Sequence, residues 1–203
     1  MESDKKQGKF IVFEGIDGSG QSTQARLLAD FFEKQGKNVV LTKEPTAESV
    51  AGKKIREALG KRIAVSPDKL QKLFAEDRKE HLETVIAPAL KSGKFVISDR
   101  YMFSSFAFGA IDCDLEWLVK INSDFLTPDV AFLLLVPPSV AMERIKKRGS
   151  PLELFETLEK LKKVDENYRK LPARFPCISP INGEQPIEAV RAEIAQIAES
   201  IIE

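Results

Sequence analysis

At 203 residues the chain is the size of one compact domain, which commonly holds about 100 to 200 residues. Hydrophobic residues at 43% and charged residues at 31% are ordinary for a globular protein and exclude a disordered or membrane class. The 31 basic and 31 acidic residues cancel, so no global positive field favours nucleic acid as a partner, and any anion site must be local. A polar start, Met1 to Lys9, and no run of about 18 apolar residues predict a cytoplasmic protein without signal peptide or membrane span. Cys113 and Cys177 are far apart and match no CxxC pattern, which suits reduced structural thiols.

Phe10 to Phe13 is an unbroken apolar run, the pattern of a strand buried on both faces. A glycine-rich turn follows. From Ser22 the residues Ala25, Leu28, Phe31 and Phe32 recur at helical spacing up to Gly36, and Asn38 to Thr42 reads as a second strand. Ser66-Pro67 predicts a helix start with Ser at the N-cap, and Leu70, Leu73, Phe74, Leu82, Val85 and Ile86 supply the stripe of one long helix that Gly93 closes. Strands are predicted at Phe95 to Ile97, ending at Asp99, at Val130 to Val136 and at Cys177 to Ile181. A final helix is predicted from about Pro186, with Ile187, Val190, Ile194, Ile197 and Ile201 on one face. Strands alternating with helices predict an α/β fold of three layers, a parallel sheet of about five strands with helices on both faces. Ligands in such sheets sit beyond the carboxyl ends of the strands, which selects the segments after Phe13, Thr42, Ile97, Val136 and Ile181.

Gly15-Ile16-Asp17-Gly18-Ser19-Gly20-Gln21-Ser22-Thr23 lies between a predicted strand and a predicted helix and matches the P-loop pattern at both glycines and the hydroxyl. Gly15, Asp17, Gly18, Ser19, Gly20, Gln21, Ser22 and Thr23 are expected to bind the ATP phosphates, with successive N–H groups converging on one centre and the helix dipole behind them; Ser22 is also placed for Mg²⁺, and Gln21 is expected to take part in catalysis. Gln21 stands where the pattern has lysine. An amide donates hydrogen bonds but carries no charge, and a charge-assisted bond is worth about 1.5 to 3 kcal/mol. Arg100 and the basic run Arg144, Lys146, Lys147 and Arg148 are candidate substitute cations.

Three segments together carry a family resemblance: Phe13 to Gly20, Leu73-Phe74-Ala75-Glu76-Asp77-Arg78, and Asp99-Arg100-Tyr101-Met102-Phe103-Ser104-Ser105-Phe106-Ala107-Phe108-Gly109. They resemble the thymidylate kinases, P-loop enzymes that phosphorylate dTMP from ATP with Mg²⁺, and the likeness runs from Phe10 to the last helix. Phe74 and Arg78 are four apart, so ring and guanidinium share a helix face. Taken alone, Phe74 reads as core and Arg78 as a solvated charge; the resemblance implies that Phe74 stacks on thymine and Arg78 bonds its O4. It further implies that Arg100 bridges the acceptor phosphate and the γ-phosphoryl group, and that Asp99 holds Mg²⁺ through water or orients the acceptor. Ser105 would contact the base, Phe108 crowd the 2′ side of the sugar, and Asp17 receive the 3′-hydroxyl. Lys43-Glu44-Pro45 resembles an Arg-Glu-Pro segment lining the acceptor site, to which Pro45 would contribute.

By the same resemblance a lid at about 144–160, with Arg144 and the catalytic Arg148, then Phe155-Glu156 and Tyr168, would close over ATP. Leu154 stands where arginine is common. Asn182 and Gly183 would place backbone near adenine. The implied activity is transfer of the γ-phosphoryl group of ATP to dTMP by a single-domain homodimer. The alternatives are a kinase of another deoxynucleotide or nucleoside, and a nucleotide-binding protein with little turnover because of Gln21. A GTPase is disfavoured, since no Asn-Lys-x-Asp segment follows the strand at 130–136.

Overall fold

The computed structural model describes residues 8–149 and 151–201. In chain order the elements are β1 (Phe10–Glu14), α1 (Gln21–Lys34), β2 (Val39–Lys43), α2 (Val50–Leu59), α3 (Pro67–His81), a π-helical stretch (Leu82–Ile86), α4 (Ala87–Lys91), β3 (Phe95–Asp99), α5 (Met102–Gly109), α6 (Leu115–Ile121), β4 (Val130–Leu135), α7 (Pro138–Arg148), α8 (Leu158–Lys170), a 3₁₀ turn (Leu171–Ala173), β5 (Ile178–Asn182) and α9 (Ile187–Ser200). All five strands are parallel, in the order β2-β3-β1-β4-β5. Among the described residues no helix is long and apolar enough to cross a membrane.

The expected strands all form; the apolar runs of β1, β3 and β4 are buried on both faces of the sheet, while the edge strands β2 and β5 are buried only in part. On one face Phe10, Val12, Val96, Ala131 and Leu133 pack with residues of α5, α6, α7 and α8. On the other, Ile11, Phe13, Ile97, Phe132 and Leu134 pack with Ala25, Leu28 and Phe32 of α1 and with Val190 and Ile194 of α9. The period of two along each strand thus sends alternate side chains into two separate cores. That arrangement leaves the carboxyl ends of β1 and β3 adjacent at the middle of the sheet, where the following connections leave in opposite directions. Crevices of this kind are where open parallel sheets bind ligands.

The helix expected from Ser66 to Gly93 is interrupted. Leu82–Ile86 widens to π-helical form before α4 resumes, so Val85 of the expected stripe is 37% exposed while Ile86 is fully buried. Ser66 occupies the N-cap position of α3, but its hydroxyl makes no capping bond and donates to Asp68 Oδ1 at 2.6 Å. Pro67 at the first turn still sets the helix start, since its missing N–H costs nothing there. Helix α2 lies outside the sequence expectations; Ser49 caps it by accepting from the N–H of Gly52.

Candidate active site

The site begins with two strand ends. Phe13 pairs with Asp99 across β1 and β3, and Arg100, the next residue, donates its N–H to Phe13 O at 2.9 Å. The loop after β1 turns back through Gly18 (φ 81°) and Gly20 (φ 100°) into α1. Gly18 has no room for a side chain: a Cβ there would meet Ala141 O at 2.5 Å. The backbone of Arg100 is itself left-handed, at φ 77°. For a residue with a Cβ that conformation costs about 1 to 3 kcal/mol, and such strain survives only where the surroundings over-determine it.

They do so here. The Arg100 side chain is 13% exposed. Its Nη1 donates to Gly15 O at 2.8 Å and Nη2 to Asp17 Oδ1 at 2.6 Å, while its guanidinium carbon lies 5.1 Å from the centre of the Phe108 ring. Burial disfavours its charged form, but Asp17, Tyr168, Asp99 and Glu14 together raise its pKa, so the side chain is a permanent cation.

Asp99 closes the other side. Its Oδ2 accepts from Ser22 Oγ at 2.5 Å and from Lys43 Nζ at 2.8 Å. Burial would raise its pKa, but Lys43 and Arg100 hold it below the usual carboxylate range, so it is ionised. Its Oδ1 is buried with no hydrogen-bond partner. A buried ionised oxygen beside a hydroxyl is a hard donor set of the kind that Mg²⁺ takes. Ser22 and Asp99 therefore fit a magnesium ion.

A cavity of about 840 Å³ opens in front of Arg100 and reaches Phe74, Ser105, Phe108 and Pro45, the last following a cis peptide bond. Phe74 lines one wall. Arg78 sits elsewhere: it is 1% exposed, and it donates to Glu44 Oε2 (2.9 Å), to Asn122 Oδ1 and, at 3.3 Å, to Ser105 Oγ. It lies 5.2 Å from the Tyr101 ring centre and 5.7 Å from that of Phe125. Arg78 thus supports Ser105 from beneath, and Ser105 is the member of this pair that lines the cavity.

The segment 151–157 forms the far wall. It is docked by Leu154 N–H to Leu59 O (2.9 Å) and Lys61 Nζ to Leu152 O (3.2 Å), and Phe155 packs edge-on against Phe108. Arg148 lines the cavity and donates to both carboxylate oxygens of Glu156, at 2.8 and 2.9 Å. Arg144 turns the other way, donating to Gly18 O, Ser19 O and Gly183 O. It ties α7 to the glycine loop and to the turn after β5, where Asn182 Oδ1 accepts from the N–H of Glu184. Tyr168, expected with the lid, is instead in the core: it is 1% exposed, with its hydroxyl 2.8 Å from Glu14 Oε2.

Residues 13–194 match the family model for thymidylate kinase. The chain belongs to the thymidylate kinase family. It is 45% identical over 201 residues to a probable thymidylate kinase of Thermococcus onnurineus, covering 94% of this chain and 97% of that one. It is 45% identical over 199 residues to a probable thymidylate kinase of Pyrococcus abyssi, covering 94% and 96%. A thymidylate kinase of Desulfotalea psychrophila is 40% identical over 189 residues, with 92% of each chain covered.

Two groups of this family member's site escaped the sequence reading. Arg56 of α2 lines the cavity and donates to the carbonyls of Thr46 and Ala47; with α2 unpredicted it carried no signal. Glu14 did carry one, a carboxylate continuing a buried apolar strand into the glycine loop. It is 1% exposed and accepts from the N–H of Tyr101 and of Ser104, from Ser104 Oγ and from Tyr168 Oη.

Burial pushes the Glu14 carboxyl from 4.5 up to about 7, although Ser104, Arg100 and Tyr168 pull it down. Between those two values the folded chain binds more protons than the unfolded chain, so this group's contribution falls as pH rises, by about 3 kcal/mol across the window. Glu14→Gln, neutral at every pH, should remove that slope. Urea unfolding of both proteins from pH 4.5 to 7.5 measures it, and parallel curves would show that Glu14 is ionised throughout.

Proposed function

We propose that this thymidylate kinase transfers the γ-phosphoryl group of ATP to dTMP, giving dTDP and ADP. The observation that carries the reading is the cavity itself, in which one partly buried permanent cation, Arg100, stands between the glycine loop and an aromatic-walled space of nucleotide size. An acceptor phosphate oxygen would attack the γ-phosphorus as the bond to the bridging β,γ oxygen breaks, leaving its electron pair on ADP. Charge on the transferred group spreads over its oxygens, and a fixed cation there stabilises the transition state more than the ground state.

The roles we assign rest on the family resemblance and on which side chains line the cavity. Gly15, Gly18, Ser19 and Gly20 offer backbone to the ATP phosphates, and Gly183 and Asn182 border the adenine side. Phe74 supplies a face for the base and Ser105, held by Arg78, a hydroxyl for its edge. Phe108 and Phe155 crowd the sugar, and Asp17 is the acceptor for its 3′-hydroxyl. Ser22 and Asp99 would hold Mg²⁺, which when bound neutralises phosphate charge. Arg148, from the far wall, adds a second cation facing the acceptor. The segment 144–160 would act as a lid over both nucleotides, within a single domain.

A cytoplasmic address and a two-fold dimer belong to the same reading. The first suits the two free cysteines, Cys113 and Cys177. The second is supported by Val85, an exposed apolar side chain on the interrupted long helix. Cell fractionation reads the address, and sedimentation at micromolar concentration the dimer; a single species of 22.7 kDa would refute it.

ADP release with ATP, Mg²⁺ and each nucleoside monophosphate in turn tests the reaction. dTMP should give the highest kcat/KM, and faster turnover of a purine acceptor would overturn the reading. Arg100→Ala should lower kcat about a hundredfold or more, beyond any loss of acceptor affinity. Near-normal kcat would return Arg100 to a structural ion pair.

A further inference from the structure

Gln21 opens α1 where the P-loop pattern has lysine, yet it is 5% exposed and does not line the cavity. Its amide lies between two kinds of partner. On one side are Ser19 Oγ and Gly15 O, and on the other the guanidinium of Arg100. An amide carries donors on nitrogen and an acceptor on oxygen, and only one orientation satisfies both sides. Nε2 then donates to Ser19 Oγ at 2.6 Å and to Gly15 O at 3.2 Å, while Oε1 accepts from Arg100 Nε at 2.9 Å and Nη2 at 2.5 Å. The opposite orientation would set the amide NH₂ against the N–H groups of Arg100.

We propose that Gln21 is a positioning residue whose carbonyl fixes the Arg100 guanidinium at the head of the glycine loop, so that the loop's own side chain holds the catalytic cation instead of supplying it. The inference rests on the reading of Arg100 given above, and it assigns Gln21 a role other than contact with ATP phosphate. A planar guanidinium needs several fixed acceptors to hold one orientation. Arg100 has Gly15 O for Nη1, Asp17 for Nη2 and Gln21 Oε1 for Nε and Nη2. Among these, Gln21 is the partner that reaches Nε. Gly15 O, bonded by both Gln21 and Arg100, couples the pair to the loop backbone. Removal of the carbonyl leaves the cation held at its Nη ends by Gly15 O, Asp17 and Ser104 Oγ but without an acceptor at Nε, so its plane is less firmly fixed.

Such a role has a consequence that phosphate binding lacks: Gln21 matters only while Arg100 is there. The experiment is a double-mutant cycle in the full chain with Gln21→Met, which keeps the length but not the amide, and Arg100→Lys. Gln21→Met alone should lower kcat about tenfold or more with KM for ATP little changed, since a misplaced cation costs transition-state stabilisation rather than ground-state binding. In the Arg100→Lys background the same substitution should change kcat less than about twofold. Gln21→Asn, whose amide is withdrawn by one methylene, should behave like Gln21→Met and serves if the latter does not fold.

A readout independent of turnover accompanies the cycle. In protein labelled with ¹⁵N-arginine, the Nε–H signal missing from Arg100→Lys should be sharp and slow to exchange in the parent chain and should broaden or vanish in Gln21→Met. Additive losses in the cycle, a KM for ATP that rises with each Gln21 change, or an unaltered Arg100 signal would overturn the proposal while leaving dTMP phosphorylation intact. Absence of ADP release from the parent chain with dTMP would instead refute the function, and the Nε–H signal would still decide whether Gln21 holds Arg100.

Discussion

The pairing of Phe13 with Asp99 sets everything at this site. Because β1 and β3 are parallel neighbours in that register, the glycine loop leaves one strand at the level where Asp99-Arg100 leaves the other. A slip of one residue would send Asp99 to the opposite face and bring a β3 core side chain to the loop. The register is held by burial on both faces: Ile11, Phe13 and Ile97 lie in one core, Phe10, Val12 and Val96 in the other, and each is at most 1% exposed. A slip would exchange these side chains between the two cores, so its cost lies in repacking both, where mismatched volumes leave cavities or force overpacking. The chemistry therefore inherits its geometry from the hydrophobic pattern of two five-residue strands.

Charge around Arg100 follows from that placement. Asp17 faces it directly, and Glu14 lies one bonded layer behind through Ser104 and Tyr168. Burial lifts Glu14 to about 7, so near neutrality it carries only part of a charge. Its bonds to the N–H groups of Tyr101 and Ser104 nonetheless fix the backbone just after Arg100. Glu14 thus braces the backbone at Tyr101 and Ser104 in either protonation state. Lys43 and Asp99 show the converse balance, in which an exposed ammonium keeps a buried carboxylate ionised.

The sheet and the glycine loop were legible from sequence because both are local signals. Uninterrupted apolar runs mark the strands to within about two residues, and the loop's glycines sit where the backbone needs φ > 0. Helix α2 was not legible, since Val50, its first residue, is 69% exposed and its buried face is the small residues Ala51, Gly52 and Ala58 with Ile55 as the one large apolar side chain. The π-helical turn escaped because widening one turn leaves the periodicity before and after it unchanged. Side-chain partners were the least legible. Spacing on α3 puts Phe74 and Arg78 on one face, but the burial of Arg78 depends on Glu44 and Asn122, which are 34 and 44 residues away in sequence. The same is true of Gln21: the sequence marks it as a departure from a pattern, and only the fold brings it against Arg100, 79 positions on.

That departure has an electrostatic logic. Two unit cations about 3 Å apart repel by about 5 kcal/mol at an effective dielectric of 20. A lysine ammonium in the place of the Gln21 amide would meet Arg100 at such a distance, and phosphate charge between them would be needed to offset the repulsion. A neutral carbonyl in that place turns repulsion into a charge-assisted bond of about 1.5 to 3 kcal/mol. That bond by itself is comparable to the backbone strain at Arg100, about 1 to 3 kcal/mol, whose φ of 77° requires compensation from its own side-chain contacts. Glutamine at this position thereby exchanges a second cation for a single, firmly oriented one. Transition-state stabilisation depends on where charge is fixed, not on how much is present, so that exchange is compatible with transfer of phosphate.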